Sequence, residues 1–119
     1  MSDEHVHHTI DYVEIGARDL EAAKTFYATA FGWQFTDYGP DYAGIRWSGG
    51  DGEVGGLNAE GSCGRGGPLV LLWTEDVDAS VAAVTSAGGD VVSGPYPFPG
   101  GRRFHFLDPS DNELGVWGA

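Results

Sequence analysis

The feature that most constrains this chain is a sequence pattern that occurs twice, 57 residues apart. Asp19–Ala22 reads Asp-Leu-Glu-Ala, and Asp76–Ala79 reads Asp-Val-Asp-Ala. A chain built twice from one unit places a shared cleft between its copies, so the repeat predicts both the fold and the region of the binding site. The same offset also aligns Val13 with Val70, Ile15 with Leu72, Ala30 with Ala87, and Gly32 with Gly89.

The length of the chain and its apolar content suit one domain with a hydrophobic core. It has 119 residues, of which 41% are hydrophobic, and no apolar run approaches the roughly 18 residues of a membrane span. Residues 1–8 are polar and acidic, unlike a secretory signal, which predicts a cytoplasmic protein without a membrane partner. Cys63 is the single cysteine, so we expect a free surface thiol.

The charge balance argues against a nucleic-acid partner. Six basic residues face eighteen acidic ones, for a net charge of −12. Such a field repels phosphate backbones and attracts cations. Solubility alone would also explain the excess of acid.

Each copy begins with a predicted strand and helix. The strands cover residues 9–16 and 69–74, where apolar residues alternate or run continuously. Asp19 and Asp76 are typical N-cap residues, and apolar residues then recur at helical spacing. Gly32 and Gly88 stand where the helices would end.

Three short strands follow each helix. The resulting unit of strand, helix and three strands predicts an α+β fold: two tandem βαβββ modules forming one open, barrel-like mixed sheet with helices outside. Module one covers about 9–60, the linker 61–68, and module two about 69–118, within a single domain. Residues 95–101 are predicted to form a stiff loop that covers the groove or packs in a dimer. The predicted short strands lie near 33–38, 42–48, 53–58, 90–93, 102–107 and 113–117.

Two segments resemble one known superfamily. Arg18–Ala23, with Phe26-Tyr27 and Phe31-Gly32-Trp33, is similar to the first strand–helix segment of the vicinal oxygen chelate proteins, and Asp108–Leu114 resembles their closing hairpin. That superfamily includes glyoxalase I, extradiol dioxygenases, and bleomycin and fosfomycin resistance proteins. The resemblance extends from about residue 9 to 117. It implies the fold and a homodimer, but no single reaction.

The resemblance also implies where a divalent metal would be held. Enzymes of the superfamily use His and Glu on the inner faces of their strands, and the corresponding positions here are Tyr12, Asn58, Leu69 and Gly115. Leucine and glycine offer no side-chain ligand, and neutral oxygens are weak ligands. We therefore expect no metal cofactor. Two alternatives stay open: a displaced divalent-metal site made by Glu14, Glu113 and His105, or hydration or arginine pairing of these acids.

Strand alternation predicts which side chains line the groove. An aromatic groove with a few acids suits a small aromatic or cationic molecule, although the rings would equally fill the space between the sheets. The groove residues predicted in this way are Tyr12, Trp33, Tyr42, Trp47, Asn58, Leu69, Leu71, Trp73 and Trp117.

Three functions are compatible with this pattern. The first is a metal-independent binder of a small molecule. The second is a lyase, isomerase or dioxygenase-type enzyme that uses the displaced metal site, or Glu14 or Glu113 as general base and His105 as proton donor. The third is a structural or regulatory domain, which no specific residue favours.

Overall fold

Each half of the chain folds into a strand, a helix and three further strands in the computed structural model, which describes residues 5–119. Residues 1–4, part of the segment that argues against a secretory signal, lie outside the described residues. Within that range, no helix is long and apolar enough to cross a membrane. The elements are β1 Val13–Gly16, α1 Leu20–Phe31, β2 Phe35–Asp37, β3 Tyr42–Arg46, β4 Glu53–Asn58, β5 Leu71–Trp73, α2 Val77–Ser86, β6 Asp90–Phe98, β7 Gly101–Leu107 and β8 Glu113–Gly118.

The two halves have the same topology. The first sheet has the order β1-β4-β3-β2, and the second has the order β5-β8-β7-β6. In each sheet the opening strand pairs in parallel with the last strand of its module, and the remaining pairs are antiparallel. The predicted α+β fold of two βαβββ modules is confirmed. The eight strands form two four-stranded mixed sheets and are not closed into a barrel.

The helix starts follow the repeated aspartates. The side chain of Asp19 accepts a hydrogen bond from the backbone N–H of Ala22 at 3.0 Å, and Asp76 accepts one from Ala79 at 3.0 Å. The first helix ends at Gly32, whose φ of 74° is left-handed. These local caps place both helices at equivalent points of their modules.

Helix α1 packs on the core-facing side of both sheets and so connects the modules. The opposite side of each sheet is called its outer face. Phe26 of α1 lies 5.9 Å from Phe106 of β7, measured between ring centroids, and Phe31 lies 5.6 Å from the same ring. Phe26 and Phe106 are almost fully buried. The first helix therefore covers part of the second sheet, which leaves the other face of each sheet for binding.

The turn between β7 and β8 also joins the two modules. The side-chain amide of Asn112 donates to the backbone oxygen of Gly16 at 2.7 Å, and its oxygen accepts from Gly64 N–H at 3.0 Å. The hydroxyl of Ser110 accepts from the backbone N–H of Arg18 at 2.9 Å. The turn thus fixes the end of β1 and the linker beside the start of β8.

Two predicted boundaries were wrong. Residues 95–101 are not a loop with exposed rings, because β6 continues to Phe98 and pairs with β7. Both Tyr96 and Phe98 are half-buried. The register shifts between Ser93 and Tyr96, which lets the strand pass through Pro95 without losing the pairing beyond it. The first strand begins at Val13 rather than residue 9, and Ile10 is 91% exposed.

Candidate functional site

A hydrogen-bonded group of polar side chains lies on the outer face of the first sheet. This first-sheet cluster consists of Tyr12, Glu14, Tyr42 and Asn58. The Tyr42 hydroxyl donates to Glu14 Oε2 at 2.9 Å, and the Asn58 amide donates to Glu14 Oε1 at 3.1 Å. Because the Tyr42 proton points to Glu14, the Tyr12 hydroxyl donates to Tyr42 across 2.7 Å. Both carboxylate oxygens of Glu14 are therefore engaged.

Glycines allow these side chains to lie flat on the sheet. A Cβ atom on Gly56 would come within 2.7 Å of the Tyr12 hydroxyl and still closer to that of Tyr42, and one on Gly44 would meet the carboxylate of Glu53. Burial, followed by the hydrogen bonds with Tyr12 and Glu14, raises the pKa of Tyr42 well above its ordinary value. Tyr42 consequently keeps its phenol proton, which it donates to Glu14.

A longer hydrogen-bonded chain lies on the outer face of the second sheet. This second-sheet relay runs through Arg65, Glu113, His105, Tyr96 and Arg103. Arg65 Nε donates to Glu113 Oε1 at 2.9 Å, and Glu113 Oε2 lies 2.7 Å from His105 Nδ1. His105 Nε2 lies 3.0 Å from the Tyr96 hydroxyl, which accepts from Arg103 Nε at 2.6 Å. Five side chains from the linker and three strands are thereby held in one geometry.

The chemistry of its members fixes the protons of the relay. The His105 ring and the Arg65 guanidinium hold the pKa of Glu113 below its usual value, so Glu113 is an acceptor at neutral pH. With Glu113 as the acceptor, His105 donates from Nδ1, and the tautomer with its proton there accepts on Nε2. Since Arg103 already donates to Tyr96, the phenol proton of Tyr96 points to His105. The paired Glu113 is a poor general base in this arrangement.

Apolar side chains share this face with the relay. Trp73 is 65% exposed and Leu71 is 37% exposed, whereas Val70 and Leu72 pack against the core. This is the alternation that the sequence predicts for β5. The half-buried ring of Trp117 meets Phe98 edge to face, with centroids 6.1 Å apart.

Two cavities adjoin these groups. One of about 260 Å³ lies between β1, the start of β8 and the linker, and its lining includes Glu14 and Glu113. A larger one of about 590 Å³ lies beside β5, and its lining includes Trp33, Leu71 and Trp73. The smaller cavity brings one acid of each module to the same cleft.

The residues present do not fit a divalent metal. Across residues 5–119, no group of three or more His, Cys, Asp or Glu side chains is arranged to hold one. Glu113 and His105 are in contact, whereas Glu14 is engaged by Tyr42 and Asn58. At the position that would supply a metal-ligating glutamate, Gly115 lies beneath Leu71, whose Cδ2 is 2.5 Å from where a Cβ would stand.

Three of the predicted groove residues lie just outside the strands. Trp33 precedes β2 and stacks on Tyr27 with ring centroids 4.5 Å apart, so it belongs mainly to the core side. Trp47 is 48% exposed in the hairpin after β3, where its ring lies over Gly49. Leu69 is half-buried just before β5.

Sequence reasoning missed three members of the relay. Tyr96 was placed in a loop, and Arg65 and Arg103 were not assigned to the site. Alternation along β7 offered one signal, since Arg103 and His105 are two residues apart and share a face. The role of Tyr96 depends on the β6–β7 register, which no local pattern reveals.

Comparison with known families gives a match over nearly the whole chain. The family described as the Glyoxalase/Bleomycin resistance protein/Dioxygenase superfamily matches residues 9–116. CFP32 of Mycobacterium tuberculosis, which carries the name of a glyoxylase, is 30% identical over 124 residues, or 93% of this chain and 46% of its own length. The anthracycline biosynthesis protein DauV of a Streptomyces species is 31% identical over 124 residues, or 89% of this chain and 45% of its own. The chain spans about half the length of these relatives.

A solved structure is similar over its full extent. TnmS3, an antibiotic binding protein from a Streptomyces species, superposes with a TM-score of 0.68 at 26% sequence identity. The match covers 99% of this chain and 98% of that one.

Proposed function

The chain belongs to the glyoxalase/bleomycin resistance protein/dioxygenase superfamily, and from that premise we propose that it binds a small aromatic or cationic molecule without a metal. The proposed ligand lies on the outer face of the second sheet. Trp73 carries this proposal: a large ring, 65% exposed, stands on the same face as a hydrogen-bonded chain of polar side chains. Exposed rings beside fixed polar groups are the usual makeup of a small-molecule site.

The relatives support an organic ligand. One is named for antibiotic binding and another for anthracycline biosynthesis. The proposal includes a cytoplasmic homodimer, as the resemblance implies.

Substitution of Trp73 tests the proposal. We expect Trp73→Ala to weaken binding of a planar aromatic probe, 9-aminoacridine or anthraquinone-2-carboxylate, about three- to tenfold, because one stacked ring contributes about 0.5–1.5 kcal/mol. Isothermal titration calorimetry measures the change. Trp47→Ala removes another exposed tryptophan, away from the relay, and should leave the affinity unchanged. Equal losses in both variants, or no saturable binding by the wild type, would contradict the proposal.

Metal removal provides a second test. Binding should be the same before and after exhaustive treatment with a chelator, because no described group of residues is arranged to hold a divalent ion. Metal analysis by plasma mass spectrometry accompanies the titration. A stoichiometric divalent ion whose removal abolishes binding would refute metal independence.

Catalysis is a second candidate function, favoured by the contact between His105 and Tyr96 at the end of the relay. An imidazole held by Glu113 is oriented to exchange a proton with a phenol and, through it, with a bound molecule. Turnover of a bound compound, followed by mass spectrometry, that is lost in His105→Gln with binding retained would establish this function. Unchanged turnover in that variant would exclude the relay from catalysis.

A further inference from the structure

Arg103 has an unusual position for a cation in so acidic a protein. It lies on β7, facing away from the helices, and its guanidinium carbon is 5.6 Å from the ring centroid of Tyr96 and 5.7 Å from that of Phe98. Its Nε donates to the Tyr96 hydroxyl. Within residues 5–119, neither of its terminal nitrogens makes a hydrogen bond or ion pair with the protein.

The other cations near the second sheet are neutralised. Arg102, its neighbour on the strand, faces the opposite way and pairs with Asp78 at 3.0 Å, and Arg65 pairs with Glu113 at 2.9 Å. Glu113 is the carboxylate of the relay, and both of its oxygens are already engaged. The charge of Arg103 is therefore not paired with a carboxylate of the described residues. Its two terminal nitrogens can bind a molecule outside the chain.

Cross-strand pairing sets Arg103 third in a row of four residues whose other members are rings. Trp73 pairs with Trp117, Trp117 with Arg103, and Arg103 with Tyr96, so the row crosses all four strands of the second sheet. Neighbouring strands are about 4.8 Å apart, which makes the row roughly 14 Å long. Two or three fused rings lying over the tryptophans would bring a substituent to the guanidinium.

Beside this row the sheet surface is apolar. In the next row Leu71 pairs with Gly115, and Gly115 with His105. Leu71 lies over Gly115, with its Cδ2 2.5 Å from where a Cβ would stand, and is 37% exposed. A flat molecule over the tryptophans would therefore also contact Leu71.

We propose that the outer face of the second sheet binds a planar aromatic acid, with the rings over Trp73 and Trp117 and the carboxylate on the terminal nitrogens of Arg103. This inference rests on the proposed small-molecule binding and names its ligand class. A guanidinium binds a carboxylate through two parallel hydrogen bonds, which fixes the orientation of the rings. The preference for an acid comes from Arg103 alone. The chain as a whole carries a net charge of −12, which repels anions.

Three probes with one ring system test this selectivity. They are anthraquinone-2-carboxylate, the uncharged anthraquinone-2-carboxamide, and the cationic 2-(aminomethyl)anthraquinone, each titrated calorimetrically near pH 7. We expect the acid to bind at least about tenfold more tightly than the amide, since charge-assisted hydrogen bonds are stronger than neutral ones. In Arg103→Gln the affinity for the acid should fall to that for the amide, and the affinity for the amide should change little.

Arg102→Gln is the matched control, because it removes the same charge from the adjacent residue on the other face of the strand. It should leave all three affinities unchanged, and Arg103→Lys should restore only part of the preference for acid. If all three probes bind equally and Arg103→Gln changes nothing, the acid site is overturned while small-molecule binding stands. If the cationic probe binds best, the acid site is also overturned, in favour of the first-sheet cluster. If no probe binds to folded wild type, both proposals fail.

Discussion

Phe26→Ala should lower the free energy of unfolding by about 3–5 kcal/mol, the range for removing a buried phenylalanine ring. The ring is 2% exposed and packs edge to face on Tyr27, with centroids 4.9 Å apart. It also contacts Phe106 of the other module, and a Cβ on Gly89 would lie 2.8 Å from it. The cavity left by alanine would therefore separate two modules rather than loosen one. Urea denaturation measures the loss.

The size of this loss in the free energy of unfolding tests whether α1 packs on both modules. Domains of this size are typically stable by about 5–15 kcal/mol, so the variant would be close to unfolding at physiological temperature. Val92→Ala, at a site 38% exposed, is the control and should cost no more than about 0.5 kcal/mol. A loss below about 1.5 kcal/mol for Phe26→Ala would contradict the packing of α1 on the second sheet.

Asp108→Ala should cost about 3 kcal/mol or more. Asp108 is 4% exposed and accepts hydrogen bonds from the Tyr27 hydroxyl at 2.8 Å and from the backbone N–H groups of Ser110 and Asn112 at 2.9 and 3.0 Å. Alanine would leave these donors buried without a partner, at about 1–3 kcal/mol each before relaxation. The same denaturation experiment reports the change.

A neighbouring substitution separates this effect from a simple loss of charge. Asp111 lies in the same turn but is exposed, and its carboxylate is 3.7 Å from Arg18. Asp111→Asn keeps a residue that tolerates the positive φ of 64° and should change stability by less than about 0.5 kcal/mol. Equal losses at the two positions would show that the buried hydrogen bonds of Asp108 are not the cause.

The hydrogen bond between Tyr27 and Asp108 should make the free energy of unfolding depend on pH in the alkaline range. Burial, and then the charge and hydrogen bond of Asp108, raise the pKa of Tyr27 well above its usual value of about 10. A raised folded-state pKa gives stability that is full below the unfolded-state pKa and declines as the pH rises above it. Wild type should thus lose stability above about pH 10, and Tyr27→Phe should lose less over the same interval.

The fold was predictable because its signals are local and occur twice. Asp19 and Asp76 cap helices by bonding N–H groups three residues away, and such contacts need no knowledge of the rest of the chain. The alternation along β8 correctly separates Glu113 from the buried Leu114. Trp33 was harder, because its side depends on where β2 begins, and that start is set by pairing with β3.

The candidate site was predictable only in part, for a related reason. Alternation points Glu113 toward the groove and His105 away from Phe104 and Phe106, but their contact requires the β7–β8 register. Tyr96 requires in addition an irregular β6 that passes through Pro95, where sequence signals favour a turn. Contacts across strands depend on pairings between distant segments, and a single sequence does not encode them in any short pattern.

The turn that ends at Asn112 has a consequence for how binding and folding are coupled. Asn112 holds β1 and the linker, and the next residue is Glu113, whose partner Arg65 belongs to that linker. One short backbone segment thus belongs both to the joint between the modules and to the face that we propose as the ligand site. A molecule that binds this segment only in the native state stabilises that state by mass action. A substitution that loosens the joint between the modules should in turn weaken the affinity, even where the changed residue does not contact the molecule. Ligand affinity and the free energy of unfolding are therefore expected to change together in this chain.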